Sequence, residues 1–268
     1  MQGSVAPMDA DSALVLLRRT AEAVDGALAE LDAAGAHGRW APLADGAHGG
    51  QHHSDVVADE AAMRVLDEAG VGVLSEETGL HRAGEPVTVV IDPLDGSSNA
   101  FKRIPWYAVS AAAVDERGVL AALVQNLATG ERFEATRGGG ARLDGVAIAA
   151  SGVADPGDAM VGLNGYPPRH LGWKQFRAYG AGALDLCSVA CGRLDAYVDC
   201  TEGNHGPWDY LAGMLIVTEA GGVATEALGR ELVVLRHDAR RAPIAAGTGP
   251  LCSSLRDARN ESLGASSA

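Results

Sequence analysis

Apolar residues follow two periods along this chain, one typical of helices and one typical of strands. The first periodic segment covers residues 9–34, where Asp9 or Asp11 can cap a helix. Its apolar residues recur at helical spacing: Leu14, Leu17, Val24, Leu28 and Leu31. This pattern predicts an amphipathic helix that packs on a core through one face.

Helical and strand-like segments alternate over the rest of the chain, separated by clusters of Gly, Pro and Asp. Further helices are predicted over 58–69, 183–192, 207–219 and 250–259. Strands are predicted over 71–74, 89–92, 107–114, 119–127, 131–136, 160–163, 194–198, 231–236 and 243–246. Loops are predicted over 35–54, 79–86, 138–140, 164–175 and 199–206, with a frayed tail over 260–268. The strands between 107 and 136 are joined by short turns, which predicts antiparallel pairing.

One stretch, residues 89–99, ends a buried strand in a concentration of polar groups. The apolar run VVI leads directly into DPLDGSSN. Pro93 lacks a backbone N–H and interrupts the sheet ladder, while Gly96 lets the backbone come close to a ligand. Ser97 or Ser98 can then cap a helix, whose free N–H groups suit an anion such as phosphate.

Carboxylates gather around this stretch. Asp92 and Asp95 lie three positions apart, so both can face one point once the strand has turned. Two such carboxylates repel each other unless a cation lies between them, and Mg²⁺ takes oxygen ligands. Glu76 follows another apolar strand, and Asp209 lies in a first helical turn after Pro207. A shared metal site is the favoured interpretation; the alternative is turn chemistry, with Asp209 placed by the helix dipole.

Size and charge narrow the class of protein. The 268 residues, 47% of them hydrophobic, are enough for one large domain or two small ones. The net charge of −14 disfavours nucleic acid and anionic membranes as partners. No apolar run approaches the roughly 20 residues that span a membrane. The N-terminus lacks the pattern of a secretory signal.

Cysteines and histidines add two weaker signals. Cys187 and Cys191 are one helical turn apart but have no matching Cys/His pair, so all four cysteines are expected to be buried, reduced thiols. Reduced thiols predict a cytoplasmic protein. His48, His52 and His53 lie in a Gly-rich segment without spaced ligands, which favours a solvated loop over a metal site.

Three segments together resemble the inositol monophosphatase family, part of the metal-dependent, lithium-sensitive phosphatase superfamily. They are SEET at 75–78, DPLDGSSN at 92–99 and WDYLAGMLIVTEAGG at 208–222. The resemblance implies an α/β fold, an α+β layered sandwich of αβαβα architecture with two subdomains. We place these at residues 1–145, carrying most metal ligands, and 146–268, carrying Asp209 and the substrate loop. The resemblance also implies a homodimer.

The resemblance further implies the metal ligands. Glu76, Asp92 and the Leu94 carbonyl oxygen would hold the first Mg²⁺. Asp92, Asp95 and Asp209 would hold the second. The family uses two or three Mg²⁺ per site, and Mn²⁺ takes the same oxygen ligands. A metal-activated water would attack the phosphorus in line.

The remaining catalytic groups follow from the same match. Gly96 and Ser97 would offer backbone N–H groups to the phosphate. The Ser97 hydroxyl, with Glu76, would orient the attacking water, and Asp59 would support that hydroxyl. Ser97 stands where the family usually has Thr.

The segment that recognises the alcohol departs from the family. The loop before Asp209 is longer than in inositol monophosphatases, so the hydroxyl-binding acid is Asp199 by counting forward or Glu202 by counting back. A solvated loop acid is the alternative for either. The full set of expected substrate-binding residues is Asp95, Gly96, Ser97, Gly180, Ala181, Asp199, Glu202 and His205.

The expected activity is Mg²⁺-dependent hydrolysis of a small polyol or sugar phosphomonoester such as inositol monophosphate. Alternatives within the superfamily are histidinol phosphate, 3′-phosphoadenosine 5′-phosphate, fructose 1,6-bisphosphate and a specialised biosynthetic sugar phosphate. Arg169, His170 and Lys174 could meet a second phosphate, although surface charge is the commoner explanation. An alternative of another class is a non-catalytic family member that binds a partner protein.

Overall fold

The computed structural model describes residues 8–33 and 52–264. The helices in these ranges are α1 Ala10–Ala33, α2 His53–Ala69, α3 Ser97–Lys102, α4 Gly182–Ala190, α5 Pro207–Glu219 and α6 Gly249–Gly264. The first strands are β1 Gly72–Ser75, β2 Gly79–His81, β3 Thr88–Asp95, β4 Ala108–Asp115, β5 Gly118–Asn126, β6 Arg132–Thr136, β7 Gly140–Leu143 and β8 Val146–Ala147. The others are β9 Met160–Asn164, β10 Gln175–Arg177, β11 Ala196–Asp199, β12 Val223–Glu226 and β13 Pro243–Ala246.

The strands form two sheets. The first has the order β2-β1-β3-β4-β5-β6-β7-β8, in which only β1 and β3 pair in parallel. The second has the order β10-β9-β11-β13-β12, with β9 parallel to both β10 and β11. Since the chain leaves the first sheet after β8, the two sheets are consecutive in sequence. The division into subdomains at residue 145 stays a prediction.

Helices cover both faces of the first sheet, so its central strands are apolar throughout. On β3, Val89 and Ile91 pack with the α1–α2 layer, and Val90 packs with the α4–α5 layer. Successive strand residues point to opposite faces, which is why this run shows no polar alternation. The second sheet lies between the α4–α5 layer and α6, where Leu255 is buried. The predicted αβαβα architecture is confirmed.

Several element boundaries differ from the predictions. Helix α2 begins at His53 rather than residue 58, and the Asp55 carboxylate accepts the His52 N–H at 2.7 Å. Helix α6 continues to Gly264, so residues 260–264 are helical where a frayed tail was predicted, and the rest of that predicted tail lies outside the described residues. The short strands β2, β7, β8, β10 and β12 were not predicted, and all of them except β7 lie at a sheet edge.

The predicted strand at 231–236 is wrong. Side chains from other parts of the chain donate hydrogen bonds to the carbonyl groups of this segment. The Tyr210 hydroxyl donates to the Leu232 oxygen at 2.7 Å, and Arg241 Nε donates to the Glu231 oxygen at 2.8 Å. The strand beside β13 is β12 instead. Hydrophobicity alone did not distinguish an irregular segment, held by side-chain hydrogen bonds, from a strand.

The short helix α3 is not capped by a serine hydroxyl. Its N-cap is Gly96, with φ at 83°, and no side chain caps it. Ser97 and Ser98 are the first helical residues. The cap predicted for either serine is therefore wrong, because the left-handed conformation at this turn belongs to the glycine.

The cysteines are free thiols, with Cys187, Cys200 and Cys252 buried and Cys191 half-buried. His48 lies outside the described residues, and His52 stacks on Phe101 at 5.2 Å between ring centroids. None of the described helices is long and apolar enough to cross a membrane.

Candidate active site

Parallel pairing of β1 and β3 brings two carboxylates to one sheet edge. Ser75 pairs with Ile91, and the Glu76 N–H donates to the Ile91 carbonyl oxygen at 3.1 Å. Glu76 therefore lies beside Asp92, the next residue of β3. The β3–β4 register shifts between Asp92 and Asp95, at the proline of this stretch. This irregularity ends regular pairing where the polar groups begin.

Asp209 reaches the same point from the start of α5. Its Oδ2 accepts the Gly206 N–H at 2.7 Å, which satisfies a free donor at the helix start. One ligand oxygen from each of Glu76, Asp92 and Asp209 lies within 4.8 Å of the other two. It is the one group of this kind found among residues 8–33 and 52–264. Residues more than a hundred positions apart thus share one site.

Without a cation, the repulsion between these buried carboxylates destabilises the folded protein. Burial, followed by the charges of Asp209 and Glu77, raises the pKa of Glu76 to about 8. Burial, with the charges of Glu76 and Asp95, raises the pKa of Asp92 well above its usual range. A hard divalent cation would offset this repulsion, and carboxylate oxygens are its preferred ligands. The donor set therefore fits Mg²⁺ or Mn²⁺.

Asp95 is also buried but lies in a different arrangement. Its Oδ2 accepts the Ala183 N–H at 2.8 Å, in the first turn of α4. Burial and the charge of Asp209 raise the pKa of Asp95 to about 7. Asp95 is thus beside the carboxylate cluster while it orients the start of α4, and its place among the metal ligands stays a prediction.

The turn after Asp95 is closely packed. A Cβ at Gly96 would lie 3.0 Å from both the Ala181 Cβ and the Trp106 carbonyl oxygen. Ser97 follows at the first position of α3, half-buried. The Asn99 N–H donates to the Gly96 carbonyl oxygen at 2.8 Å, which leaves the N–H groups of Ser97 and Ser98 as the first-turn donors without a partner within the helix that can meet an anion. Leu94 is buried, and its N–H donates to Asp92 Oδ1 at 2.9 Å.

Asp59 lies on α2 behind the cluster. Its carboxylate accepts the Ser75 hydroxyl at 2.5 Å and also interacts with the Thr78 hydroxyl. Burial raises the pKa of Asp59. These contacts fix the end of β1 that carries Glu76, and the expected support of Ser97 by Asp59 stays a prediction.

His205 is held by protein groups on both ring nitrogens. Nδ1 lies 3.2 Å from Asp209 Oδ2, and Nε2 lies 2.8 Å from the Tyr197 hydroxyl and 3.2 Å from the Asn164 amide nitrogen. Burial acts to lower the pKa of His205, but the hydrogen bond and charge of Asp209, with other nearby carboxylates, raise it to about 9. The ring therefore braces Asp209.

The two candidate acids of the substrate loop lie in different environments. Asp199 ends β11 fully buried; its Oδ1 accepts the Thr201 N–H at 2.9 Å, and its Oδ2 has no hydrogen-bond partner in the described part of the chain. That Oδ2 is 4.0 Å from His205 Nε2. Glu202 is exposed. The choice between Asp199 and Glu202 as substrate ligand stays a prediction.

A cavity of about 130 Å³ opens beside the cluster. Its walls include Asp95, Asp209 and His205 together with the Gly180–Ala181 turn, but neither Asp199 nor Glu202. Five lining residues were not among the predicted site residues: Leu163, Asn164, Gly182, Asp185 and Tyr197.

Asp185 was missed for a clear reason. It lies in the apolar helix α4, whose composition indicates core packing. Its Oδ1 accepts the Trp106 indole N–H at 2.9 Å, and burial raises the pKa of Asp185 well above its usual range. A lone acid within an apolar helix was the available signal.

Comparison with known proteins assigns the family. The inositol monophosphatase family profile matches residues 39–259. The fructose-1,6-bisphosphatase/inositol-1-monophosphatase of Methanothermobacter thermautotrophicus is 37% identical over 217 residues, covering 72% of this chain and 77% of that protein. Nus factor SuhB of Escherichia coli is 36% identical over 173 residues, covering 59% of this chain and 63% of that protein.

A solved structure agrees with the fold. It is a Pyrococcus horikoshii protein described as similar to inositol-1 monophosphatase, with a TM-score of 0.77 and 26% identity, covering 92% of this chain and 96% of that one. The sequence match extends over both sheets and all three segments that meet at the carboxylate cluster. The chain therefore belongs to the inositol monophosphatase family.

Proposed function

We propose that this chain is a Mg²⁺-dependent phosphomonoesterase that acts on a small polyol or sugar phosphate, with inositol monophosphate as the first candidate. The observation that carries the proposal is the convergence of Glu76, Asp92 and Asp209 within 4.8 Å. Such a crowded, poorly solvated acid cluster has no role in packing, because an apolar set would be more stable there.

Glu76, Asp92 and the Leu94 carbonyl oxygen would hold one Mg²⁺, and Asp92, Asp95 and Asp209 the other. Bound metal supplies Lewis acidity and makes a nucleophilic water available near neutral pH. The half-buried position of Glu76 lets its carboxylate orient that water. Asp209 is itself fixed by the Gly206 N–H at 2.7 Å, so it is preorganised for its role.

The turn at Gly96 and Ser97 would receive the phosphate. Its glycine permits the close approach of backbone to ligand, and its first N–H groups can donate to phosphate oxygens. The Ser97 hydroxyl would join Glu76 in orienting the water, with Asp59 behind it. The acidic surroundings make these donors important, because the chain as a whole would repel a phosphate at a net charge of −14.

The size of the cavity favours a small alcohol as the substrate. Its volume of about 130 Å³ is well below the roughly 300 Å³ at which pockets for drug-sized ligands begin. Gly180 and Ala181 form one wall without bulky side chains. A sugar bisphosphate is a second candidate, because one relative is named a fructose-1,6-bisphosphatase/inositol-1-monophosphatase. Histidinol phosphate and 3′-phosphoadenosine 5′-phosphate stay in the panel to be tested.

Three further expectations remain predictions: the homodimer, the cytoplasmic location, and the absence of nucleic-acid or membrane partners. One relative is named Nus factor SuhB rather than a phosphatase. A non-catalytic role is therefore tested alongside hydrolysis.

Phosphate release from this panel, with Mg²⁺ and with a chelator, tests the proposal. We expect turnover that requires the metal and falls about a hundredfold or more in Asp92→Asn, because bound metal contributes several kcal/mol to the transition state. Glu85→Gln, in an exposed loop, is the matched control and should retain full activity. Metal-independent turnover, or no turnover of any substrate, would contradict the proposal and favour a binding role.

A further inference from the structure

The positions of Asp199 and Glu202 do not identify the residue that binds the substrate alcohol. Asp199 is fully buried, and its nearest charged partner is His205, whose ring nitrogens both contact protein groups. Glu202 is exposed and is not among the cavity walls. Neither of the two loop acids predicted to bind the substrate hydroxyl therefore lies at the cavity surface.

Asp185 does lie at that surface. It is 2% exposed and forms part of the cavity wall together with Asn164 and Tyr197. The Trp106 indole N–H occupies its Oδ1 at 2.9 Å, and Oδ2 has no hydrogen-bond partner within the described ranges. Oδ2 is not among the fully buried unpaired oxygens of the described residues, so water can reach it, and a ligand that donates to it replaces that water.

The carboxyl of Asp185 is also rigidly placed. It lies one turn into α4, whose start is fixed by the bond from the Ala183 N–H to Asp95 at 2.8 Å. Trp106 orients it from the other side and stacks on Tyr179 at 4.8 Å between ring centroids. The group is therefore preorganised relative to the carboxylate cluster, as a specificity contact requires.

We infer that Asp185 is the specificity residue of this chain, and that its Oδ2, in the carboxylate form, accepts a hydrogen bond from a donor group, a hydroxyl or an ammonium, on the carbon next to the phosphate ester. This inference rests on the proposed phosphatase function. It narrows the substrate to alcohols that carry such a donor. Substrates without such a donor displace the water at Oδ2 without replacing its hydrogen bond, and are discriminated against.

Three small phosphate esters test the inference: glycerol 3-phosphate with a neighbouring hydroxyl, phosphoethanolamine with a neighbouring ammonium, and propyl phosphate with neither. For the wild type in Mg²⁺ we expect kcat/KM at least about tenfold higher for one or both donor-bearing esters than for propyl phosphate. The larger of the two ratios identifies whether hydroxyl or ammonium is the preferred donor.

Asp185→Asn is the principal variant. Its amide oxygen can still accept from Trp106. Its NH₂ group faces the cavity as a hydrogen-bond donor, where the wild type has an acceptor. The preference for a donor-bearing ester over propyl phosphate should fall to about onefold, mainly through KM. Trp106→Phe, which removes only the orienting N–H, should reduce the preference partly. Ser188→Ala, buried one turn further along α4, is the control and should keep the wild-type ratio.

The outcomes separate the two proposals. If the wild type hydrolyses all three esters with equal kcat/KM, or if Asp185→Asn keeps the preference with an unchanged thermal midpoint, Asp185 does not read the substrate and the phosphatase proposal stands. If none of the three esters, and none of the larger panel, is hydrolysed, the phosphatase proposal fails and this inference fails with it.

Discussion

Removal of metal should make the folded protein increasingly unstable as the pH rises. Glu76 has a folded pKa of about 8 against an ordinary value of 4.5, and Asp95 has about 7 against 3.8. A carboxyl whose folded pKa lies above its unfolded pKa stabilises the fold at low pH. That contribution is lost as the pH rises through the folded value, because the unfolded chain releases the proton first.

The magnitude follows from these shifts. At about 1.4 kcal/mol per pKa unit, Glu76 alone costs about 4 kcal/mol of unfolding free energy between about pH 5 and about pH 8. Asp95 adds about 3 kcal/mol between about pH 5 and about pH 7 by the same arithmetic. Because both shifts include the Asp209 charge, the combined loss is expected between about 4 and about 7 kcal/mol. For a chain of this size this corresponds to a fall in the thermal midpoint of about 10 to 20 °C.

Thermal unfolding in a chelator, across this pH range, measures the effect. Saturating Mg²⁺ should largely remove the pH dependence, since the cation offsets the repulsion and binds only the folded state. Glu76→Gln should lose about half of the dependence in the chelator, and the exposed Glu85→Gln should keep all of it. A midpoint that is flat with pH in the chelator, or equally steep with and without Mg²⁺, would refute the reasoning.

Two other substitutions test the supports of the site. His205→Gln loosens the brace on Asp209 and should raise the Mg²⁺ dissociation constant about 10- to 100-fold by calorimetry; unchanged affinity would show that the histidine does not position this ligand. Gly96→Ala puts a Cβ 3.0 Å from the Ala181 Cβ at a φ of 83° and should cost about 1 to 3 kcal/mol in urea unfolding, with reduced turnover; wild-type stability and turnover would contradict the close packing.

The fold and the acid cluster could be predicted because strong local patterns carry them. The run VVI before Asp92 predicts the regular part of β3, which continues to Asp95, and Pro207 predicts the start of the helix that carries Asp209. The resemblance then joined these distant segments, which spacing alone could not do. Edge strands of two to four residues, such as Val146–Ala147, have too few residues to show a period.

The residues that face the substrate could not be predicted in the same way. Asp185 belongs to a buried apolar helix, and its orientation toward a cavity depends on the indole of Trp106, 79 positions away. The irregular segment at 231–236 depends likewise on Tyr210 and Arg241, which replace the ladder bonds. Both features depend on tertiary hydrogen bonds, which leave no periodic trace in the sequence.

The central claim is that acids from three distant segments bind one group of divalent cations. The most direct measurement is an anomalous difference map from a crystal of the chain soaked in Mn²⁺, which takes the same oxygen ligands and scatters anomalously. We expect two peaks about 2.2 Å from their ligand oxygens, one beside Glu76 and Asp92 and the other beside Asp92, Asp95 and Asp209. No peak there in a crystal that holds Mn²⁺ elsewhere, or the side chains of Glu76, Asp92 and Asp209 pointing away from a common centre, would contradict the claim.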